Sequence, residues 1–136
     1  MGMNLDLFLD KHKVILSLVS DIQKNISSAI TENCADTIAS DINKLSGVLM
    51  MHLASEDKNL YPMALASDSE ELRRTAKEYI DEMGNLMKIF DNFHKNFNTK
   101  SKILDNVNDF TLQAQKVTLA IEKRITKEES GLYKML

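Results

Sequence analysis

The chain has 136 residues, 43% of them hydrophobic and 27% charged, values ordinary for a globular protein long enough to bury a core. Its net charge is −3, with acidic and basic residues mixed along the chain; no Lys/Arg run points to a nucleic-acid backbone as partner. The one cysteine, Cys34, excludes an intrachain disulfide and a Cys-based zinc site, and without a run of about 18 apolar residues no membrane span is expected.

One proline and four glycines are too few breakers for a β-sandwich or an α/β fold. The opening MGMNLDLFLDKHK lacks the apolar stretch and cleavage site of a signal peptide, and its Met1-Gly2 start has no nearby basic stretch to support a lipid anchor, so a cytoplasmic location is expected. The first predicted helix, with Asn4 placed to cap it, carries a stripe from Leu5 through Phe8, His12 and Ile15 to Ile26 in steps of three and four. A short polar turn around Thr31 and Glu32 follows, and Asn33 or Asp36 can open the second helix, whose stripe runs Ile38, Ile42, Leu45, Leu49, His52, Glu56. After Pro62, two capping boxes, Ser67 with Glu70 and Asp68 with Glu71, announce the third helix, with its stripe from Leu72 through Tyr79, Met83 and Leu86 to Phe97. Asn98 to Ser101 interrupt the pattern, and the fourth helix runs from Val107 through Phe110, Ile121, Arg124 and Glu128 towards Met135. Short connections make successive helices antiparallel neighbours. The expectation is an all-α, up-down-up-down four-helix bundle occupying residues 1–136 as a single domain.

The stripes are apolar except at His12, His52, Glu56, Arg124 and Glu128. In an up-down bundle the start of the first helix and the ends of the second and fourth share one end. All five side chains should therefore meet there, with Met83 facing them. Burying them is costly unless they are paired or bound to a metal. Two readings follow. The two imidazoles and two carboxylates ligate a metal, His52 and Glu56 lying on one helix face. Alternatively, Arg124 pairs with Glu56 and Glu128, and the histidines hydrogen-bond to the same carboxylates. Segments 52–61 and 124–133 also echo one another, with His52/Arg124, Glu56/Glu128 and Tyr61/Tyr133 in register, as a pseudo-twofold axis would produce.

His12, then His52-x-x-x-Glu56 within HLASEDKNLYP, then Glu128 within KEESGLY, resembles the hemerythrin-like domains with the HHE cation-binding motif. The resemblance covers nearly the whole chain and implies a four-helix bundle with a non-haem di-iron centre for oxygen binding, redox sensing, or iron and nitric-oxide handling. By that resemblance His12, His52, Glu56 and Glu128 match ligand positions, whereas Met83 and Arg124 stand where the third and fourth helices should each supply a histidine. Both losses fall on one of the two iron positions, so one transition metal ion is expected rather than two: iron, with zinc or manganese as alternatives. The competing expectation is a metal-free bundle serving as an interaction or signalling module. A mononuclear iron oxidoreductase is a third reading, and no catalytic residue is assigned to it.

Tyr61, Tyr79 and Tyr133 can donate to the carboxylates or cover a core end. Glu82 borders the third helix's stripe and is within reach of the site, but a solvated flank is the expectation; His94, too far along its helix, is expected on the surface. A second apolar stripe on the second helix (Gly47, Met50, Met51, Ala54) and a partial one on the third (Ile80, Gly84, Met87) point away from the core. They lead to the expectation of a homodimer through these two helices.

Overall fold

The predicted helices lie in a computed structural model that describes residues 4–136; the Met1-Gly2 start lies outside the described residues. Among the described residues there is no strand, and no helix is long and apolar enough to cross a membrane. The four stripes sit on long helices: α1 (Asp6–Ile26), α2 (Glu32–Asn59), α4 (Glu70–Phe97) and α6 (Val107–Ser130). Between them lie two short helices, α3 (Tyr61–Leu65) and α5 (Lys100–Asp105), and a 3-10 turn (Leu132–Met135) follows α6.

Local chemistry sets the boundaries, in part against expectation. Leu5, not Asn4, is the capping residue of α1, although Asn4 Oδ1 accepts from Asp6 N–H at 3.0 Å. α2 begins earlier than Asn33: Thr31, in extended conformation, accepts from Cys34 N–H at 3.3 Å. That satisfies one of the open amides of the first turn, and Glu32 complements its positive end. Neither expected capping box opens α4. Ser69 takes that place, accepting from Leu72 N–H at 3.2 Å, while Ser67 Oγ accepts from Ser69 N–H at 3.1 Å. Pro62 is tolerated because it lies in the first turn of α3, where its missing N–H is not needed. Thr99 caps α5, and Asn106 then caps α6 by accepting from Asp109 N–H at 3.1 Å.

α1 packs on α2 and α6, and α4 packs on α6 and α2. The end of α4 meets the start of α6, where Phe97 and Phe110 lie edge to face with centroids 5.1 Å apart. The apolar core is in two parts. The larger runs from Ile15, Leu49, Phe90 and Ile121 to the far end. The smaller gathers Phe8, Leu60, Tyr61, Leu72, Ala76, Tyr79, Leu132 and Tyr133. Burying each large apolar side chain contributes about 1.5–3 kcal/mol, so these clusters hold the helices in register. The layer between them is polar, because residues 12, 52, 56, 124 and 128 fall between apolar neighbours on their own stripes. α3 and the 3-10 turn close that end and bring Tyr61 and Tyr133 onto the polar layer.

Candidate metal centre

All five polar stripe residues are buried, and Glu56 is fully so. His12 comes from α1, His52 and Glu56 from α2, Arg124 and Glu128 from α6. His12 Nε2 lies 3.1 Å from His52 Nε2 and 3.0 Å from Glu128 Oε1. His52 Nε2 lies 3.2 Å from Glu56 Oε1 and 3.8 Å from Glu128 Oε1. One ligand atom from each of His12, His52 and Glu128 falls within 4.8 Å of the others. Glu56 stands at the edge of that group, beside His52, with its Oε2 accepting from the Tyr133 hydroxyl at 3.1 Å.

The spacing suits a cation. First-row metals hold nitrogen and oxygen ligands at about 2.0–2.2 Å, which separates neighbouring ligand atoms by roughly 3.0–3.5 Å. The contacts of 3.0, 3.1 and 3.2 Å match, while His52 to Glu128, at 3.8 Å, is wider. The donor set points the same way. Glu129 Oε2 lies 2.8 Å from His12 Nδ1; a carboxylate only accepts, so Nδ1 carries the proton. His12 Nε2 then meets Glu128 Oε1 at 3.0 Å, His52 Nε2 at 3.1 Å and the Tyr133 hydroxyl at 3.2 Å, so three buried polar groups converge on one ring nitrogen. Glu56 Oε1 is a buried oxygen faced by the His52 ring nitrogen at 3.2 Å, without the geometry of a hydrogen bond.

Glu128 divides its two oxygens. Oε1 faces the imidazoles, and Oε2 accepts from Arg124 Nε at 3.2 Å. The guanidinium is held from several sides. Its Nη2 donates to the Tyr61 hydroxyl at 3.1 Å, its Nη1 lies 3.6 Å from Glu82, and its carbon sits 4.7 Å from the Tyr79 ring centroid. Met83 is buried in the same layer. It lines, with His52, Arg124 and Glu128, a cavity of about 10 Å³, room for about one water molecule.

Charge follows this geometry. Burial opposes ionising His52, but Glu128 and Glu56 outweigh it and push the imidazole up to about 9. Burial likewise works against the Glu128 carboxylate; His12, His52 and Arg124 prevail and hold it down at about 2. Glu56 is raised, first by burial, against the pull of His52 and aided by the negative charge of Glu128. Burial and the two carboxylates also raise the Tyr133 phenol, which stays a donor. In the metal-free molecule a proton on His52 therefore supplies the positive charge that the cluster requires, and a metal ion would compete with it.

Several details depart from the sequence reading. Arg124 pairs with Glu128 and not with Glu56; Glu56 is held by His52 and Tyr133 instead. Glu82, expected on a solvated flank, is half exposed yet reaches Arg124 and also Lys127, whose Nζ donates to it at 2.7 Å. Tyr79 donates to the Lys127 carbonyl rather than to a carboxylate. His94 stays clear of the site, its Nε2 2.8 Å from Asn43 Oδ1. Glu129 went unnoticed, because it adjoins the stripe and a half-exposed glutamate carries no apolar signal. Its place beside Glu128, one residue round the helix and towards α1, was the available clue.

The family model for the hemerythrin HHE cation binding domain matches residues 3–136. No curated protein and no solved structure matches the chain.

Proposed function

Because the chain belongs to the hemerythrin HHE cation-binding domain family, we propose that it binds one transition metal ion, iron by family likeness, through His12, His52, Glu56 and Glu128. We place this centre in a cytoplasmic redox, oxygen or nitric-oxide sensor or an iron-handling domain. The domain we propose spans residues 1–136 as one up-down-up-down four-helix bundle. Its support is the meeting of the start of α1 with the ends of α2 and α6 at His12, His52 and Glu128.

The observation that carries the single-metal reading is the divided carboxylate of Glu128. The oxygen that would reach a second cation is already on Arg124, and a fixed guanidinium repels a cation in a low-dielectric core. Charge agrees. Glu56, Glu128 and Arg124 sum to −1 with neutral histidines, so one divalent ion leaves +1 and two would leave +3. The bound ion would supply a redox-active or Lewis-acidic centre. The protein's own part is to hold His12 by Nδ1, to present its Nε2 together with His52, and to keep Glu128 ionised beside Arg124. The cavity lined by His52, Met83, Arg124 and Glu128 holds about one water molecule, a fit for a diatomic or solvent-sized ligand. Imidazole and carboxylate donors accept iron, manganese or zinc.

Protein purified without a polyhistidine tag is expected to carry close to one metal per chain by elemental analysis. Two per chain refutes the reading. None, after reconstitution with iron(II), manganese(II) and zinc(II), selects the alternative, a metal-free bundle acting as an interaction or signalling module. That alternative is favoured by one feature: His12, His52, Glu128 and Arg124 already contact one another within 3.0–3.2 Å at their closest approaches.

For assembly we propose a homodimer through α2 and α4. Met50 and Met51 are 61% and 67% exposed, and a Cβ added at Gly47 or Gly84 would meet nothing within 4 Å, so a second helix can approach closely. Sedimentation at tens of micromolar is expected to give a dimer mass; a concentration-independent monomer would refute it.

A further inference from the structure

The two imidazoles of the cluster are held differently. His52 Nδ1 is buried without a hydrogen-bond partner, whereas His12 Nδ1 lies 2.8 Å from Glu129 Oε2. His12 is itself 1% exposed, and Glu129 is 41% exposed. Glu129 stands at the wall of a cleft lined by Asp6, Leu9, Asp10, Lys13 and Leu16, with His12 at its inner side. Its carboxylate therefore reaches inward from solvent to a buried ring, and truncating it opens no void in the core.

The internal echo gives this pair a counterpart. In the alignment of 52–61 with 124–133, Asp57 takes the place of Glu129. Asp57 and Met83 line one groove together with Leu53, Tyr61, Ile80 and Gly84. So the carboxylate that follows the ligand glutamate has an imidazole to hold in one half of the molecule, whereas in the other it shares a groove with a thioether.

We infer that Glu129 is a positioning residue for the metal centre: it fixes the proton of His12 on Nδ1 and thereby turns the Nε2 lone pair towards His52 and Glu128. The inference rests on the proposed metal reading. The physical reason is general. An imidazole that donates its other N–H to a carboxylate has one tautomer and one ring orientation, and is a more basic ligand; losing that carboxylate typically weakens metal affinity about 10–100-fold. Without Glu129 the His12 proton would be free to sit on Nε2, the atom that must bind the ion, and would have to leave before binding.

The test titrates wild type, Glu129→Ala, Glu129→Gln and Asp57→Asn with zinc(II), and follows the His12 ring nitrogens by NMR in the metal-free proteins. Glu129→Ala is expected to bind zinc about 10–100-fold more weakly with an unchanged metal-free melting curve, and to lose the protected Nδ1–H signal of His12. Glu129→Gln, whose amide oxygen can still accept, should keep that signal and most of the affinity. Asp57→Asn should match wild type in both readouts. Equal zinc affinity in wild type and Glu129→Ala, or an Nδ1–H signal that survives in Glu129→Ala, overturns the inference. A wild type that binds no zinc, iron(II) or manganese(II) overturns the metal reading instead, and the His12 signal then decides the role of Glu129 alone.

Discussion

Metal-free protein carrying Glu128→Ala is expected to lose about 3–5 kcal/mol of stability at pH 7, a fall in Tm on the order of 10–20 °C for a chain of this length. The reason is the number of buried groups that share this one carboxylate. Arg124 Nε, His12 Nε2 and, at longer range, His52 Nε2 all turn to it inside the core. After substitution Arg124 keeps the Tyr61 hydroxyl and the half-exposed Glu82, neither of which replaces a buried anion. Glu56→Ala should cost less, about 1–3 kcal/mol, because its partners are His52 and the Tyr133 hydroxyl and no guanidinium depends on it. The pH dependence has a worked sign. His52 is raised from 6.5 to about 9 on folding. Its contribution is fully present below about pH 6.5 and disappears as pH rises through 9. Glu128 is lowered from 4.5 to about 2; its contribution is present above pH 4.5 and disappears as pH falls towards 2. Wild-type metal-free protein should thus be most stable between these limits, and Glu128→Ala should lose the acid limb of the profile. Chemical denaturation across pH measures both effects. A Glu128→Ala loss under about 1 kcal/mol would place the network in solvent and reject this account.

Met83→His combined with Arg124→His should raise the metal content from one to two per chain. The double change acts on both obstacles together. It removes the cation from Glu128 Oε2, so that this oxygen would be free to help hold a second ion. It also supplies an imidazole from α4 and another from α6, at positions that line one cavity with His52 and Glu128. With Arg124 gone, Glu56 and Glu128 carry −2, and two divalent ions leave +2 rather than +3. Asp57 already lines the groove with Met83, so an imidazole introduced there would share that groove with a carboxylate. Arg124→His alone should gain less, because position 83 would still lack a nitrogen donor. Elemental analysis of the double variant after iron(II) loading decides the matter. A ratio that stays at one would show that more than these two side chains keeps the second ion out.

Much of the site could be read from the chain, for a physical reason. Helical spacing puts His12, His52, Glu56, Arg124 and Glu128 on core-facing stripes, and apolar burial forces those stripes inward. Once connections are short, chain position sets height along the helix axis, so the five residues were bound to meet at one level, as they do. Helix ends were less legible. Several Ser, Thr and Asn residues compete to cap each start, and the choice of Thr31 over Asn33 or Ser69 over Ser67 depends on which backbone is extended when the helix docks.

Sequence alone determined which side chains share the polar layer, because period and height are one-dimensional quantities. Only the tertiary structure decided who touches whom within it. A guanidinium reaches several ångströms in many directions, and a small rotation of α6 about its axis exchanges one carboxylate for another. That rotation gives Arg124 to Glu128, Tyr61 and the Tyr79 ring, and leaves Glu56 to His52 and Tyr133. The same rotation turns Glu129, off the stripe and half exposed, far enough towards α1 to hold the ring of His12.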